Sequence, residues 1–352
     1  MKFDSATNSV TMSEDSEPQS KTKALPSQPL HPSVILKLDP EYIEFHNATF
    51  QYLPPVYTIP WNPAFRGPKL PGTTKPLEVG KIQDYELTNT DCRTYTPPGE
   101  KPQSGWPLFI TFHGGGWMFG RIDSDASFAT RMCLNANCVV MSVNYRLAPE
   151  HPYPAAVEDA IDSLQWVVKH GKDKLNVDMT RIAVGGTAEG GNLAAALALK
   201  APTITPPLPH PLIFQLLVVP ITDNTSTVTS PHASWKTYEH APLRTAKAML
   251  WFRHNYLPDE AKRSDWLVSP LLAPEDVLSG APKTWVAVAE VDILKDEAEK
   301  YAEKLESAGV NVKVVCYEKV PHMFASLDDV LSAGKRLVQD AGEALKEAFL
   351  GS

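Results

Sequence analysis

The chain has 352 residues, of which 43% are hydrophobic and 21% charged, and its 33 Lys and Arg against 41 Asp and Glu give a formal net charge of −8 at pH 7. This apolar fraction is ample for a large core and excludes a wholly disordered chain. An acidic balance without a basic block argues against nucleic-acid binding as the main activity. The 4 cysteines have no CxxC spacing, which argues against a disulfide scaffold or a zinc cluster. Since the sequence also has no metal, nucleotide or flavin motif, we expect no cofactor.

The first 30 residues are rich in Ser, Thr and charge and contain no apolar run, so they predict a mobile arm and not a signal peptide. No segment contains about 18 consecutive apolar residues, the length needed to span a membrane. We therefore expect a cytoplasmic protein with reduced thiols.

Beyond the arm, the pattern predicts a helix over residues 34–50, an irregular proline-braced loop over 60–76, and then alternating strands and helices. The predicted strands span residues 81–87, 92–97, 106–112, 138–145, 181–186, 213–220, 284–290 and 312–318. The predicted helices that follow include residues 155–170, 190–200 and 333–349. This alternation predicts an α/β protein with a mostly parallel central sheet, whose ligands bind at the carboxyl ends of the strands.

One segment interrupts the alternation. Between Ile221 and Trp266 a polar loop precedes an aromatic-rich helix with the sequence RTAKAMLWFRHNYL. A helical insertion after a central strand is typical of a cap over the site, and the alternative is an ordinary surface helix.

A run of glycines follows the strand predicted at 106–112, in the sequence His113-Gly114-Gly115-Gly116-Trp117. Consecutive glycines let backbone N–H groups face a ligand without side chains in the way, and such an arrangement can stabilise an oxyanion. A tight turn is the alternative for the glycines, and we interpret His113 as structural.

A second glycine motif, Gly186-Thr187-Ala188-Glu189-Gly190, lies between a predicted strand and an Ala-rich helix. It has the frame of the nucleophile elbow, G-x-S-x-G, with alanine at the position of the serine. A generic strand-to-helix glycine turn is the alternative.

An acid and a base follow later in the chain, each just past a predicted strand: Asp292 and His322. The order of elbow, acid and base is the order found in α/β-hydrolases. A carboxylate and an imidazole at adjacent strand ends suit the roles of orienting group and general base.

These motifs together resemble the hormone-sensitive-lipase-like (GDXG) family of α/β-hydrolases, whose hallmarks are HGGGW and G-D-S-A-G-G-N. The resemblance runs from about residue 80 to the C-terminus. It also includes VNYRLAPEHPYPAA (143–156), GGNLAAALAL (190–199), SPLLA (269–273) and DILKDEAEKYAEKL (292–305). It implies an α/β-hydrolase fold with a helical cap and a carboxylic-ester hydrolase acting on a small, partly apolar ester or lactone. The implied core covers residues 76–220 and 267–352, and the implied cap covers 31–75 and 221–266.

The resemblance also assigns roles to residues. Asp292 would orient His322, the general base, beside the nucleophile position Ala188. The oxyanion hole would be formed by the backbone N–H groups of Gly115, Gly116 and Glu189, with Gly114 as a further candidate. Four aromatic residues are weaker candidates for an apolar pocket wall, with core packing as the alternative: Trp117, Phe119, Trp251 and Phe252. The oligomeric state stays open, with a homodimer through residues 333–349 as one possibility.

Ala188 departs from the family pattern, because alanine has no nucleophile and the chain as written should not form an acyl-enzyme. One explanation is an ester hydrolase whose serine has been replaced by alanine, which traps a bound substrate. The positive φ of an elbow strains alanine, and Gly or Asn would adopt it at least as readily. Alanine is therefore an unusual residue for a natural non-catalytic turn, which favours the replacement of a serine. The other is a natural non-hydrolytic relative, acting either as a cyclase or isomerase through Asp292 and His322 or as a small-molecule receptor.

The neighbours of Ala188 also depart from the family pattern, since Thr187 and Glu189 replace Asp and Ala. Glu189 at a helix N-terminus is favoured by the helix dipole. A weaker hypothesis is that its side chain meets a polar or cationic group of the substrate.

Overall fold

The fold is built on one sheet of eight strands, in a computed structural model that describes residues 25–66 and 71–351. Most of the predicted N-terminal arm, residues 1–24, lies outside the described residues. The strands are β1 (Lys81–Glu86), β2 (Asp91–Thr96), β3 (Trp106–Phe112), β4 (Val139–Val143), β5 (Val177–Thr187), β6 (Phe214–Val218), β7 (Lys283–Val291) and β8 (Val312–Pro321). Their order across the sheet is β1-β2-β4-β3-β5-β6-β7-β8.

The helices of the described residues are numbered α1 to α10 in chain order. They are α1 (Pro32–Ile35), α2 (Pro40–Ala48), α3 (Ala126–Asn135), α4 (Ala155–His170), α5 (Glu189–Lys200), α6 (Ala233–Thr237), α7 (Ala246–Tyr256), α8 (Glu275–Leu278), α9 (Lys295–Ser307) and α10 (Ser332–Leu350). Short 3₁₀ turns occur at Phe50–Tyr52, Val56–Thr58, Pro63–Arg66, Ala201–Thr203, Glu260–Lys262, Pro270–Leu272 and His322–Ser326, and a π turn at Gly171–Leu175.

The sheet is mostly parallel, as the sequence predicts. β1 pairs with β2 and β2 with β4 in antiparallel fashion, whereas every pair from β4 through β8 is parallel. All residues of the central strands β3 and β4 are buried, because helices cover both faces of the sheet. Their continuous apolar runs, WPLFITF and VVMSV, are the sequence signature of that burial.

Two predicted elements differ from the structure by more than three residues. The helix expected over residues 34–50 is broken into α1, α2 and a 3₁₀ turn. The break comes before Pro40, which cannot continue a helix and instead starts α2, with the side chain of Asp39 accepting a hydrogen bond from the backbone N–H of Glu41. The strand expected over 181–186 is longer and begins at Val177.

The N-terminal segment and the insertion contact each other, which fits the prediction that both belong to one cap. The ammonium group of Lys247 on α7 lies 4.5 Å from the ring centre of Tyr57, and the rings of His31 and His240 are 4.0 Å apart. The division into cap and core stays a prediction. Among the described residues, no helix is long and apolar enough to cross a membrane.

Candidate active site

Ala188 occupies the sharp turn between β5 and α5. Its backbone has φ 53° and ψ −113°, a conformation that strains a residue with a side chain. Its N–H donates to the carbonyl of Val218, at 2.8 Å. The turn requires glycine at Gly190, since a Cβ there would lie 1.9 Å from the carbonyl oxygen of Phe112. The glycine frame read from the sequence therefore forms a strained strand-to-helix turn, as an elbow requires.

Asp292 and His322 lie at the carboxyl ends of two neighbouring parallel strands. Asp292 directly follows β7 and His322 directly follows β8. His322 Nδ1 is 2.7 Å from Asp292 Oδ2, and both side chains are buried. The backbone N–H of Leu294 donates to Asp292 Oδ1, at 3.1 Å, so both carboxylate oxygens are held. This is the geometry of an imidazole oriented by a carboxylate.

The glycine run forms a turn next to the elbow. Gly115 and Gly116 have φ of 127° and 69°, which glycine adopts without strain. A Cβ on Gly114 would lie 3.6 Å from Ala188 Cβ, so the two turns are in contact. The Tyr145 hydroxyl donates to the carbonyl of His113, at 2.7 Å. The buried ring of His113 also stacks on Tyr145, in agreement with a structural role.

Glu189 points into this glycine turn. The backbone N–H of Gly115 donates to Glu189 Oε2 at 3.1 Å, and Arg244 Nη1 forms an ion pair with Glu189 Oε1 at 2.5 Å. Burial disfavours the charged carboxylate, but Arg244, His322 and the N–H of Gly116 outweigh it and hold the pKa of Glu189 below its ordinary value. The cation that Glu189 contacts in the structure is Arg244 of the chain itself, whereas the hypothesis from the sequence was a polar or cationic group of the substrate.

Arg244 also reaches the base. Its Nη2 donates to His322 Nε2, at 3.2 Å. A guanidinium has no acceptor, so Nε2 of His322 must carry the lone pair and Nδ1 must carry the proton donated to Asp292. This is the tautomer that a general base needs, but its lone pair is engaged by Arg244. Sequence reasoning missed Arg244, because nothing in its surroundings marks it as buried.

Family comparison is consistent with this geometry. The sequence matches a family described by an alpha/beta hydrolase fold over residues 109–326. The chain belongs to this alpha/beta hydrolase family. The resemblance to hormone-sensitive-lipase-like hydrolases and the expected fold are both confirmed.

Alignments with known proteins extend over most of this chain. An AB hydrolase superfamily protein of Schizosaccharomyces pombe is 39% identical over 333 residues, which are 91% of this chain and 97% of that protein. The carboxylesterase NlhH of Mycobacterium tuberculosis is 34% identical over 75% of this chain and 80% of its own length. The crystal structure of a thermostable esterase from Pseudomonas putida ECU1011 gives a TM-score of 0.78 at 31% identity, over 89% of this chain and 98% of that one.

Aromatic residues of the chain lie beside the glycine turn. Phe252 on α7 packs so closely on Gly116 that a Cβ there would lie 2.1 Å from Phe252 Cδ1. Its ring centre is 5.0 Å from the Arg244 guanidinium carbon. Phe119 and Trp251 contact Phe252 edge-on, with ring centres at 5.9 and 5.1 Å. The predicted wall residues Phe119, Trp251 and Phe252 are thus brought together beside the glycine turn.

For Trp117 the structure fits the alternative of core packing. Its side chain is fully buried and stacks on Tyr256 with ring centres 4.3 Å apart, which is core packing between the glycine turn and α7. The indole ring therefore packs against α7 and holds it next to the glycine turn.

The four cysteines lie outside the β5–α5 turn that carries Ala188. Cys92, Cys133 and Cys138 are buried, and burial raises the pKa of the Cys133 thiol to about 12. Cys316 is exposed on the edge strand β8. Among residues 25–66 and 71–351, no cluster of three or more His, Cys, Asp or Glu is arranged to hold a metal ion.

Proposed function

We propose that this site binds a small, partly apolar carboxylic ester or lactone and belongs to a carboxylic-ester hydrolase that is inactivated at position 188. The observation that carries the proposal is the 2.7 Å hydrogen bond between His322 Nδ1 and Asp292 Oδ2, at neighbouring strand ends of an alpha/beta hydrolase sheet. Support also comes from similarity to proteins named as carboxylesterase and esterase.

The chemistry follows from the triad geometry. With a serine at position 188, and with His322 Nε2 released from its contact with Arg244, the hydroxyl oxygen would attack the ester carbonyl carbon while Nε2 takes the hydroxyl proton, and Asp292 would stabilise the imidazolium. The proton would then pass to the departing alcohol, and water would release the acid from the acyl-enzyme by the same route. Ala188 has no oxygen to form the covalent bond, so the chain as written binds without acylation.

A serine at position 188 alone leaves a second obstacle. The carboxylate of Glu189 accepts the N–H of Gly115, one of the donors expected to stabilise the oxyanion. A negative charge there repels the charge that develops on the substrate oxygen. The informative variant is therefore Ala188→Ser/Glu189→Ala, which also matches the serine and alanine of the family motif.

The test is hydrolysis of p-nitrophenyl acetate and butyrate by this double variant. Its matched control is Ala188→Gly/Glu189→Ala, which keeps the emptied turn and lacks the nucleophile. We expect the serine variant to exceed the control by at least about 10³-fold in kcat/KM, because triad removal costs several orders of magnitude. Equal rates in the two variants, with both folded, overturn the proposal.

A second candidate function is favoured by the contacts of Arg244 with Glu189 and with His322 Nε2. These contacts suit a non-hydrolytic member of the family that keeps Ala188, either a small-molecule receptor or a cyclase or isomerase in which His322 transfers a proton.

Incubation of the unaltered chain with candidate ligands in ¹⁸O-labelled water, followed by mass analysis, tests this candidate. A cyclase or isomerase yields a product without ¹⁸O, and His322→Ala abolishes its formation. A receptor retains the ligand unchanged and binds a protein partner only when the ligand is present. Incorporation of ¹⁸O by the unaltered chain contradicts both forms.

A further inference from the structure

Three groups converge on the carboxylate of Glu189. The N–H of Gly115 donates to Oε2 at 3.1 Å, Arg244 Nη1 lies 2.5 Å from Oε1, and the N–H of Gly116 lowers the pKa of the carboxyl group. Glu189 is 0% exposed and Arg244 is 5% exposed. This carboxylate therefore lies against backbone donors that the family resemblance assigns to the oxyanion.

The two buried charges depend on each other. An unpaired carboxylate or guanidinium out of water costs several kcal/mol, so each needs an opposite charge within contact distance. For Arg244, Glu189 supplies that charge, while the guanidinium also contacts His322 Nε2, Met249 Sδ and the ring of Phe252. The helix dipole alone, which suffices for a solvent-exposed Glu at this position, does not account for the burial.

We propose that Glu189 is the resident anion of the oxyanion hole, that Arg244 is the positioning residue that holds it there, and that Gly115 N–H and Arg244 form a subsite for a monocarboxylate. This inference deepens the proposed function and rests on it for the identity of the hole. The internal carboxylate keeps an ester carbonyl out of the hole, so the ligand of the unaltered chain is held by other groups.

Removing the internal carboxylate tests the subsite directly. In Glu189→Ala the N–H of Gly115 and Arg244 Nη1 lose the carboxylate that they contact. A small carboxylate from solution can then take the place of the Glu189 side chain. We expect roughly 100 mM sodium acetate to raise the Tm of this variant by about 2 °C or more relative to sodium chloride at equal ionic strength. The unaltered chain should show no such difference, because Glu189 already fills the subsite.

A matched control removes a carboxylate from an exposed ion pair. Asp84 forms a two-point hydrogen bond with Arg93 at 2.7 Å on the surface of the sheet, and its side chain is 48% exposed. Water solvates Arg93 after Asp84→Ala, so acetate should have no specific effect on that variant. A Tm shift of the same size in Asp84→Ala overturns the proposal.

A second variant separates the subsite from a general salt effect and covers a failure to fold. Glu189→Ala/Arg244→Met removes both buried charges, and we expect it to fold and to lose the acetate response. If Glu189→Ala folds only when acetate is present, the proposal is supported. The proposal is overturned if Glu189→Ala folds but does not respond to acetate, or if Glu189→Ala/Arg244→Met responds equally. It is also overturned if Glu189→Ala stays unfolded in acetate while Glu189→Ala/Arg244→Met folds. None of these readouts uses ester cleavage, so their failure is distinct from failure of the proposed function.

Discussion

The close approach of α5 to β3 at Gly190 can be tested by adding one methyl group. In Gly190→Ala the new Cβ would lie 1.9 Å from the Phe112 carbonyl oxygen and 2.6 Å from that of His113, where 3.4 Å begins ordinary contact. Helix and strand must therefore separate by about 1.5 Å, and the obstacle is backbone, which cannot rotate away as a side chain does.

The expected cost follows from this geometry. Overpacking in a well-packed core typically costs 1–3 kcal/mol, and a clash with backbone falls at the upper end, at about 3 kcal/mol. For a chain of this length an entropy of unfolding of about 2 cal/mol/K per residue converts that cost to a Tm lower by about 4 °C.

Calorimetry of Gly190→Ala beside Gly280→Ala measures the effect. A Cβ on Gly280 meets its nearest neighbours at 3.4 and 3.5 Å, so this control should unfold near the Tm of the unaltered chain. A Tm of Gly190→Ala within 1 °C of the control, a margin of about 0.7 kcal/mol, would refute the packing described for the elbow.

Three further predictions concern protonation, orientation of the base and thiol exposure. Burial lowers the pKa of His113 from 6.5 to about 4. Between these pH values the unfolded chain binds a proton at His113 that the folded chain does not bind, so the free energy of unfolding falls by up to about 3 kcal/mol as the pH drops from 6.5 to 4. His113→Phe keeps the stacked ring, and its denaturation curves should lose this part of the pH dependence; an unchanged slope contradicts the assignment. Adding Asp292→Asn to Ala188→Ser/Glu189→Ala should lower kcat by about 10⁴-fold with a smaller change in KM, and equal kcat values would remove Asp292 from the mechanism. Under native conditions a thiol reagent should label Cys316 rapidly and the other three cysteines only on unfolding, as peptide mapping can verify.

Much of the fold could be predicted because local patterns decide it. The buried strands β3 and β4 are continuous apolar runs, and the strand ends carry Asp292 and His322. Parallel neighbours bring such residues to one edge of the sheet, so chain order alone placed the acid beside the base.

The remaining features depend on contacts that no local pattern reports. Arg244 lies in the segment before α7, and only the path of that segment over the sheet brings its guanidinium between Glu189 and His322. Trp117 follows the glycine run, but its stacking on Tyr256 decides that it packs in the core. Both involve sequence separations of more than 50 residues, beyond the reach of periodicity and turn signals.

The central claim is that the site at position 188 lacks the nucleophile and is obstructed by Glu189, while its base and orienting acid are in place. Intact-mass analysis after treatment with a fluorophosphonate tests it most directly. In Ala188→Ser/Glu189→Ala we predict one adduct per chain, located by peptide mapping at position 188, and no adduct in Ala188→Gly/Glu189→Ala. A folded serine variant that takes up no label, or that is labelled elsewhere to the same extent as the glycine control, contradicts the claim.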